Sequence, residues 1–453
     1  MLGKIFKRLK ETRNPYLIFL IFLIFYIILV ILFPTDGMSG DENRYLIYSK
    51  FIFTGTLPVH EASIDILGNG PGYSIILIPF VAFHLPLVSI TIMNCFFYYF
   101  SIILLFKTSM QLVSFRNSLL ISIFWGLYYN SYENLLLIVP ETFTAFLICV
   151  LTYYLIKLFK QKDLAHQKKY LIFSGVIVGY LALTKPIFGY VITFMLVVGI
   201  LLLIFKSKIP NYRRSVFILL IAFATCIPYL AYTYSVTGRL FYWSSFGGNN
   251  LYWMSSPFAE EYGNWLPDPE PVSDSIKVKY HYNRFEKYLG STHDEESLNN
   301  YNIYINHKKD FEVINRYRGV ERDEIYRKIS LENIKNHPLK YLQNCISNIG
   351  RILYNYPYSY KLQNPGTLIR FPLNGIIISL ALFCLIPTLV NWYKLLYSIR
   401  FILIFALVYL GGSIFGSAET RMFTIIIPLF LIWIIYILDH TVMIKKWFTN
   451  QNC

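Results

Sequence analysis

Residues Tyr16–Phe33 read YLIFLIFLIFYIILVILF, a run without a single charge, and Thr35–Tyr45 follow almost at once as TDGMSGDENRY. A helix needs about 20 consecutive apolar residues to cross the hydrocarbon core of a bilayer. The first stretch comes close to that length by itself. Its flanks are long, more apolar stretches follow, and no small-residue cleavage site comes after Phe33. It therefore reads as a retained membrane helix rather than a cleaved signal peptide.

Outward from this stretch the chain keeps the same character. Of 453 residues, 55% are apolar and only 15% are charged, too few to cover the surface of a soluble protein of this size. Candidate spans are 16–33, 88–106, 119–138, 141–158, 170–184, 187–205, 215–235, 372–390, 400–416 and 422–441. The pattern predicts an all-α polytopic membrane protein of about ten spanning helices, with interfacial helices and a smaller, partly irregular outer domain. Residues 1–235 form an N-terminal transmembrane module that includes a first outer loop at 34–87. Residues 236–371 form the large outer domain, and 372–453 carry the last spans.

The net charge of +15 is distributed by side. Lys4, Lys7, Arg8, Lys10 and Arg13 precede the first span. Lys107, Arg116, Lys157, Lys160, Lys162, Lys168, Lys169, Lys206, Lys208, Arg213, Arg214, Lys394, Arg400, Lys445 and Lys446 fall in alternate loops and the C-terminus. By the positive-inside rule these segments are cytoplasmic, which places both termini inside. The basic balance thus expresses topology, and no basic face interleaved with aromatics suggests a nucleic-acid partner. Cysteines stand at 95, 149, 226, 345, 384 and 453, without disulfide or metal spacing.

Within 236–371, Tyr242–Pro271 is rich in Gly, Asn, Trp and Pro and reads as irregular loop. Leu339, Leu342, Ile346, Ile349, Leu353 and Tyr356 recur at helical spacing, while Lys340, Asn344 and Arg351 fall on other faces. This predicts an amphipathic helix, lying on the membrane or packed on the outer domain. Trp243, Phe246, Tyr252, Trp253 and Trp265 supply faces that stack on sugars or anchor at the interface.

Chemistry concentrates at the outer ends of the spans. Asp41 and Glu42 open a short helix expected to end at Gly55. Carboxylates in a first helical turn are also ordinary capping residues, with Ser39 or Asp41 as the cap. A helix N-terminus lowers the pKa of Asp41, while desolvation beside Glu42 raises it. Pro71, after Gly68-Asn69-Gly70, suits the start of a second helix. Glu141 follows Pro140, Lys185 sits in Leu183-Thr184-Lys185-Pro186, and Glu419 and Arg421 precede the last span. Charges at membrane depth are costly and usually face a cavity or a partner, although Lys185 and Arg421 also have the reach to snorkel to headgroups. His60 reads as a surface residue.

This arrangement resembles the GT-C superfamily of membrane glycosyltransferases, which includes the protein O-mannosyltransferases and the aminoarabinose transferases of lipid A. The resemblance is carried by Gly40-Asp41-Glu42 with Gly55, by Gly70-Pro71-Gly72-Tyr73 and by Gly179–Pro186. It continues through His337-Pro338-Leu339-Lys340-Tyr341-Leu342 and Glu419-Thr420-Arg421-Met422. It covers most of 1–235 and 331–440. Family members commonly have Pro-Pro at Gly70-Pro71, Arg at Lys185 and an aromatic at Met422.

The resemblance implies an inverting transfer of a sugar from a polyprenyl-phosphate donor to a glycan, lipid or protein acceptor at the outer face of a bacterial inner membrane. Lipid A and cell-wall or other surface glycans fall within that acceptor class. Asp41 aligns with the family's catalytic carboxylate and would act as base, since a neutral hydroxyl is a poor nucleophile. Glu42 and Glu141 would orient Asp41 or the acceptor. The leaving phosphate needs cations rather than a second acid, unlike a glycosidase; Lys185, Arg421 and Arg44 are the candidates. No cofactor is expected beyond an optional divalent cation held by the acids. A lipid-linked glycan polymerase or flippase, or a transporter, is the competing reading. The acidic pair directly after the first span and the lack of two related halves speak against both.

Overall fold

The computed structural model describes residues 15–34, 41–56, 66–161, 163–205, 211–266, 268, 278–280, 293–295, 298–360 and 365–440. Ser39, His60 and Cys453 lie outside them. The described residues are overwhelmingly helical, apart from one short antiparallel pair, β1 (Val278–Tyr280) and β2 (His293–Glu295), with Lys279 opposite Asp294.

After a 3-10 turn at Pro15–Phe19 come α1 (Leu20–Leu32), α2 (Asp41–Thr54), α3 (Pro71–Ala82), α4 (Leu87–Ser109), α5 (Phe115–Gly126) and α6 (Tyr129–Leu135). Then follow α7 (Glu141–Lys160), α8 (Leu164–Thr184), α9 (Ile187–Phe205) and α10 (Tyr212–Thr237). The polar segment contributes α11 (Gly247–Met254), α12 (Leu298–Ile314), α13 (Gly319–Asn336) and α14 (Pro338–Tyr354). The chain returns to the bundle with α15 (Pro365–Val390), α16 (Tyr397–Ile414) and α17 (Thr420–His440).

Among the described residues, α4, α7, α9, α10, α16, α17 and Thr367–Val390 of α15 are long and apolar enough to cross a membrane. Tyr16–Leu32 is equally apolar but shorter, and α8 carries Lys168 and Lys169 near its start. The chain is an integral membrane protein. α17 is the most enclosed of these spans and α15 the least. α17 packs on α7, α15, α16, α14 and α5 and so forms the axis of the bundle.

The expected span 119–138 is not one helix. α5 stops at Gly126, and its 12 residues rise only about 18 Å, well short of the bilayer core. The cause lies on α6. Arg370 of α15 donates from Nε to Asn130 Oδ1 at 3.0 Å and pairs through Nη2 with Glu133. Side chains committed to a buried guanidinium cannot face lipid, so α6 tucks against α15 and α17.

α14 inverts the usual rule for a helix on a soluble core. Leu339, Leu342, Ile346 and Ile349 are exposed, whereas Asn344, Cys345, Asn348 and Arg351 are buried. The buried polar face is held by hydrogen bonds: Asn344 Nδ2 donates to the carbonyls of Met254 and Ser256, both at 3.0 Å. The contacts bear out the packed reading of this helix. The polar face packs on the polar segment, and the apolar face is exposed, as a helix lying on a membrane would leave it.

The apolar core runs through the whole bundle. A second, smaller core joins Tyr252, Trp253, Leu266, Ile303, Phe311, Ile314 and Tyr326. Trp243, Tyr252 and Trp253 are thus core residues, not open stacking platforms, while Trp265 is half-exposed. Beside the second core, His307 Nε2 meets Glu261 Oε2 at 2.9 Å and Nδ1 meets the Tyr252 hydroxyl at 2.6 Å. Cys95, Cys149, Cys226, Cys345 and Cys384 are free and buried.

Candidate active site

The site assembles where α2, α7 and α17 begin and α8 ends. Asp41 and Glu42 occupy the first turn of α2, where carboxylates offset the partial positive charge of the helix N-terminus. The helix closes at Thr54, and Gly55 follows with φ +73°, the left-handed conformation favoured just past a helix end. Its N–H donates to Phe51 O at 2.8 Å. α2 is pinned to α3 by the Ser74 hydroxyl, which donates to Tyr45 O at 3.1 Å. Tyr45 also sets its ring edge-on to Tyr73 at 5.3 Å.

The turn before α3 sets the place of Lys185. Pro71 is the first residue of α3, as its fixed φ favours. Gly72 lies against α8 so closely that a Cβ there would stand 2.6 Å from Thr184 Oγ1 and 2.8 Å from Leu183 C. The Tyr180 hydroxyl donates to Gly72 O at 2.8 Å. This glycine lets the turn press on the last residues of α8, and Lys185 caps that helix.

Charges from four separate segments then meet. Asp41 Oδ1 accepts from Arg44 at 2.5 Å, and Asp41 Oδ2 accepts from Arg421 at 2.8 Å. Arg421 Nε lies 2.9 Å from Glu419 Oε2 and 3.6 Å from Glu141 Oε1, as ion pairs without hydrogen-bond alignment. Glu141 Oε1 accepts from Lys185 Nζ at 2.8 Å. Asp41, Glu141 and Glu419 are thus matched by Arg44, Lys185 and Arg421 in one continuous network. Arg44 also stacks over the Phe246 ring at 4.6 Å, a cation–π contact.

Burial pushes the Asp41 carboxyl up, but Arg421 and Arg44 outweigh it and hold the carboxyl at about 2. Neither the helix N-terminus nor Glu42 decides the matter. The two guanidiniums do, one local and one arriving from the far end of the chain. Asp41 is therefore ionised and, in this state, a weak base.

Glu141 is 1% exposed, and its Oε2 has no hydrogen-bond partner. A buried lone acceptor of this kind calls for an explanation. Glu42 takes a different place from Asp41: its Oε1 accepts the Ile138 N–H at 2.9 Å and so holds the approach to Glu141. Among the described residues, no three of His, Cys, Asp and Glu gather in a metal-holding group.

Sequence reasoning located Asp41, Arg44, Glu141, Lys185 and Arg421, and the structure brings all five together. It gave Glu419 no role. It also passed over Asn348, although Lys340, Asn344, Asn348 and Arg351 form a polar stripe at spacings of 4, 4 and 3.

No family model matches the chain, and no curated protein does. Among solved structures, the Archaeoglobus fulgidus oligosaccharyltransferase tethered with an acceptor peptide aligns at 10% identity and TM-score 0.46. That alignment covers 95% of this chain and 50% of the other. The same organism's oligosaccharyltransferase AglB, in complex with an inhibitory peptide and a dolichol-phosphate, gives 11% identity and TM-score 0.46, covering 96% and 51%. ArnT from Cupriavidus metallidurans bound to undecaprenyl phosphate gives 11% identity and TM-score 0.39, covering 95% and 78%. The chain spans about half the length of the archaeal structures. With likenesses this distant, the weight of a functional reading falls on the site's own geometry.

Proposed function

We propose that this chain is an inverting glycosyltransferase that moves a sugar from a polyprenyl-phosphate donor to an acceptor hydroxyl at the outer face of a bacterial inner membrane. The observation that carries the reading is the pairing of Asp41 with Arg421 across 380 positions of sequence, beside the buried Glu141–Lys185 pair. Attack at an anomeric carbon bearing a phosphate calls for a carboxylate to take the acceptor's proton and for cations to hold the leaving phosphate, and this network supplies both.

The chemistry follows from the contacts. The acceptor oxygen attacks the anomeric carbon from the face opposite the phosphate, and the carbon–oxygen bond to the phosphate breaks with inversion. The proton of the acceptor hydroxyl passes to Asp41, and the bonding pair leaves on the phosphate. That leaving group is already an anion, so it needs cations and not an acid. Arg421 supplies a planar fork suited to a phosphate, and Lys185 a point charge.

Without donor, each of these cations is held by a carboxylate. An arriving phosphate competes for Arg421 and draws it off Asp41. Loss of that neighbour raises the basicity of Asp41 at the moment a base is needed. Arg44 keeps its contact and prevents the half-buried carboxyl from taking a proton too early. Glu141 anchors Lys185 through Oε1 and leaves Oε2 to accept a hydrogen bond from a sugar or acceptor hydroxyl. The acceptor is a glycan, a lipid or a protein.

The test is transfer from labelled polyprenyl-phosphate sugars to a crude envelope acceptor fraction, with wild type and Asp41→Asn side by side. Transfer by wild type alone supports the reading, and equal transfer by both proteins removes Asp41 as base.

A further inference from the structure

We propose that Asn348 is a positioning residue for this reaction: it fixes the turn Ser413–Ala418 so that Arg421 meets Asp41. The inference rests on the glycosyltransferase reading above and adds to it a residue that touches no reacting atom.

Asn348 is completely buried on the polar face of α14. Its Nδ2, with two hydrogens to share, lies within hydrogen-bond distance of three carbonyls, Ser413 O at 3.1 Å, Ile414 O at 3.0 Å and Gly416 O at 2.6 Å. Its Oδ1 accepts the Ala418 N–H at 3.2 Å and Arg351 Nη2 at 2.9 Å. One amide side chain thus holds both ends of a turn. The Tyr341 hydroxyl adds a bond to Phe415 O at 2.9 Å. Ser413 and Ile414 end α16, where carbonyls lack partners within their own helix and must find them elsewhere. Here α14 provides them.

The turn has little stiffness of its own. Gly416 lies in it with no neighbour within 4 Å of where a Cβ would be, and Gly411 and Gly412 stand in the last turn of α16 just before it. Glycine leaves the backbone free to take many conformations, so the frame comes from Asn348. Glu419 and Arg421 follow Ala418 directly. The orientation of Asn348 is itself fixed by Arg351, which donates from Nη1 to Tyr262 O at 2.5 Å and to Pro357 O at 3.2 Å. The polar segment, α14 and the Arg421 turn are therefore joined through two buried side chains.

A double-mutant cycle on the full chain in lipid nanodiscs tests this. Wild type, Asn348→Ala, Arg421→Ala and the double variant are titrated with a fluorescent polyprenyl monophosphate and assayed for donor transfer. A misplacement of about 1 Å in a catalytic group can cost roughly 100-fold, and that is the expected fall in kcat/KM for Asn348→Ala. Arg421→Ala is expected to weaken binding and transfer by itself. The double variant is expected to be no worse than Arg421→Ala, because Asn348 then has nothing left to position.

Asn348→Asp keeps size and the Oδ1 acceptor but sets an oxygen against three carbonyls. It is expected to fall as far as Asn348→Ala, and it carries the same cycle if the alanine variant does not fold. Losses that multiply in the double variant, or wild-type kcat/KM in Asn348→Ala, overturn this inference alone. Wild type that fails to bind the probe, or Arg421→Ala that binds as wild type, removes the functional reading and this inference with it.

Discussion

Lys185→Met isolates the energetics of the buried pair. The substitution removes an ammonium 2.8 Å from Glu141 Oε1 and leaves behind a carboxylate that is 1% exposed. Removing one partner of a buried ion pair costs about 3–5 kcal/mol, because the other charge stays buried and uncompensated. Arg421 Nε remains 3.6 Å from the same oxygen, and Lys185 is itself 12% exposed. Both facts place the expected loss at the lower end, about 3 kcal/mol. Removing both charges should undo most of it, so Lys185→Met with Glu141→Gln is expected to be clearly more stable than Lys185→Met alone. Transfer should behave oppositely and stay lost in the double variant, since the cation proposed to hold the phosphate and the proposed hydroxyl acceptor are both gone. Unfolding of the three proteins in one detergent, paired with the transfer assay, reads both quantities. A Lys185→Met protein as stable as wild type, or a double variant no better than the single, would show that Glu141 does not depend on Lys185 for its charge.

Three further outcomes are expected. Gly72→Ala drives a methyl group into Thr184 and Leu183, where overpacking costs about 1–3 kcal/mol. Because that contact seats Lys185, transfer should fall by at least about 10-fold; kinetics at wild-type level would show that Lys185 is seated by something else. Ile346→Trp places an indole on the exposed face of α14, and brominated lipids should quench its fluorescence strongly. No quenching would mean that this face meets protein or water. Burial pushes the Glu261 carboxyl up, but His307, Ser256 and Asn306 outweigh it and hold it below its ordinary value. A carboxyl held low stabilises the fold above its unfolded pKa, and that contribution is lost as pH falls through the folded value. His307→Gln should therefore begin acid unfolding at higher pH than wild type, and an unchanged acid transition would contradict the assigned contact.

What was legible in the sequence was what local physics decides. α2 runs from Asp41 to Thr54, with Gly55 after it, because first-turn carboxylates and a left-handed glycine are near-neighbour signals. The stripe of α14 was legible because its period is helical. What escaped depends on partners far away in sequence. The 119–138 stretch looks like a span until Arg370 is known to reach Asn130 and Glu133. Asn348 is unremarkable until its carbonyl partners come from another helix. The pKa of Asp41 hung between the helix N-terminus and Glu42, and two guanidiniums outweigh both, Arg44 nearby and Arg421 380 positions away. The aromatics of 243–253 suggested sugar platforms or interface anchors from composition alone, yet burial makes Trp243, Tyr252 and Trp253 part of the cores.

The most direct test of the central claim is transfer from labelled polyprenyl-phosphate sugars by wild type and Asp41→Asn in the same lipid, with binding of polyprenyl monophosphate measured in parallel. Transfer by wild type, none by Asp41→Asn, and donor binding in both are expected. Equal transfer by the two proteins would contradict the claim and move the base to another carboxylate of the network.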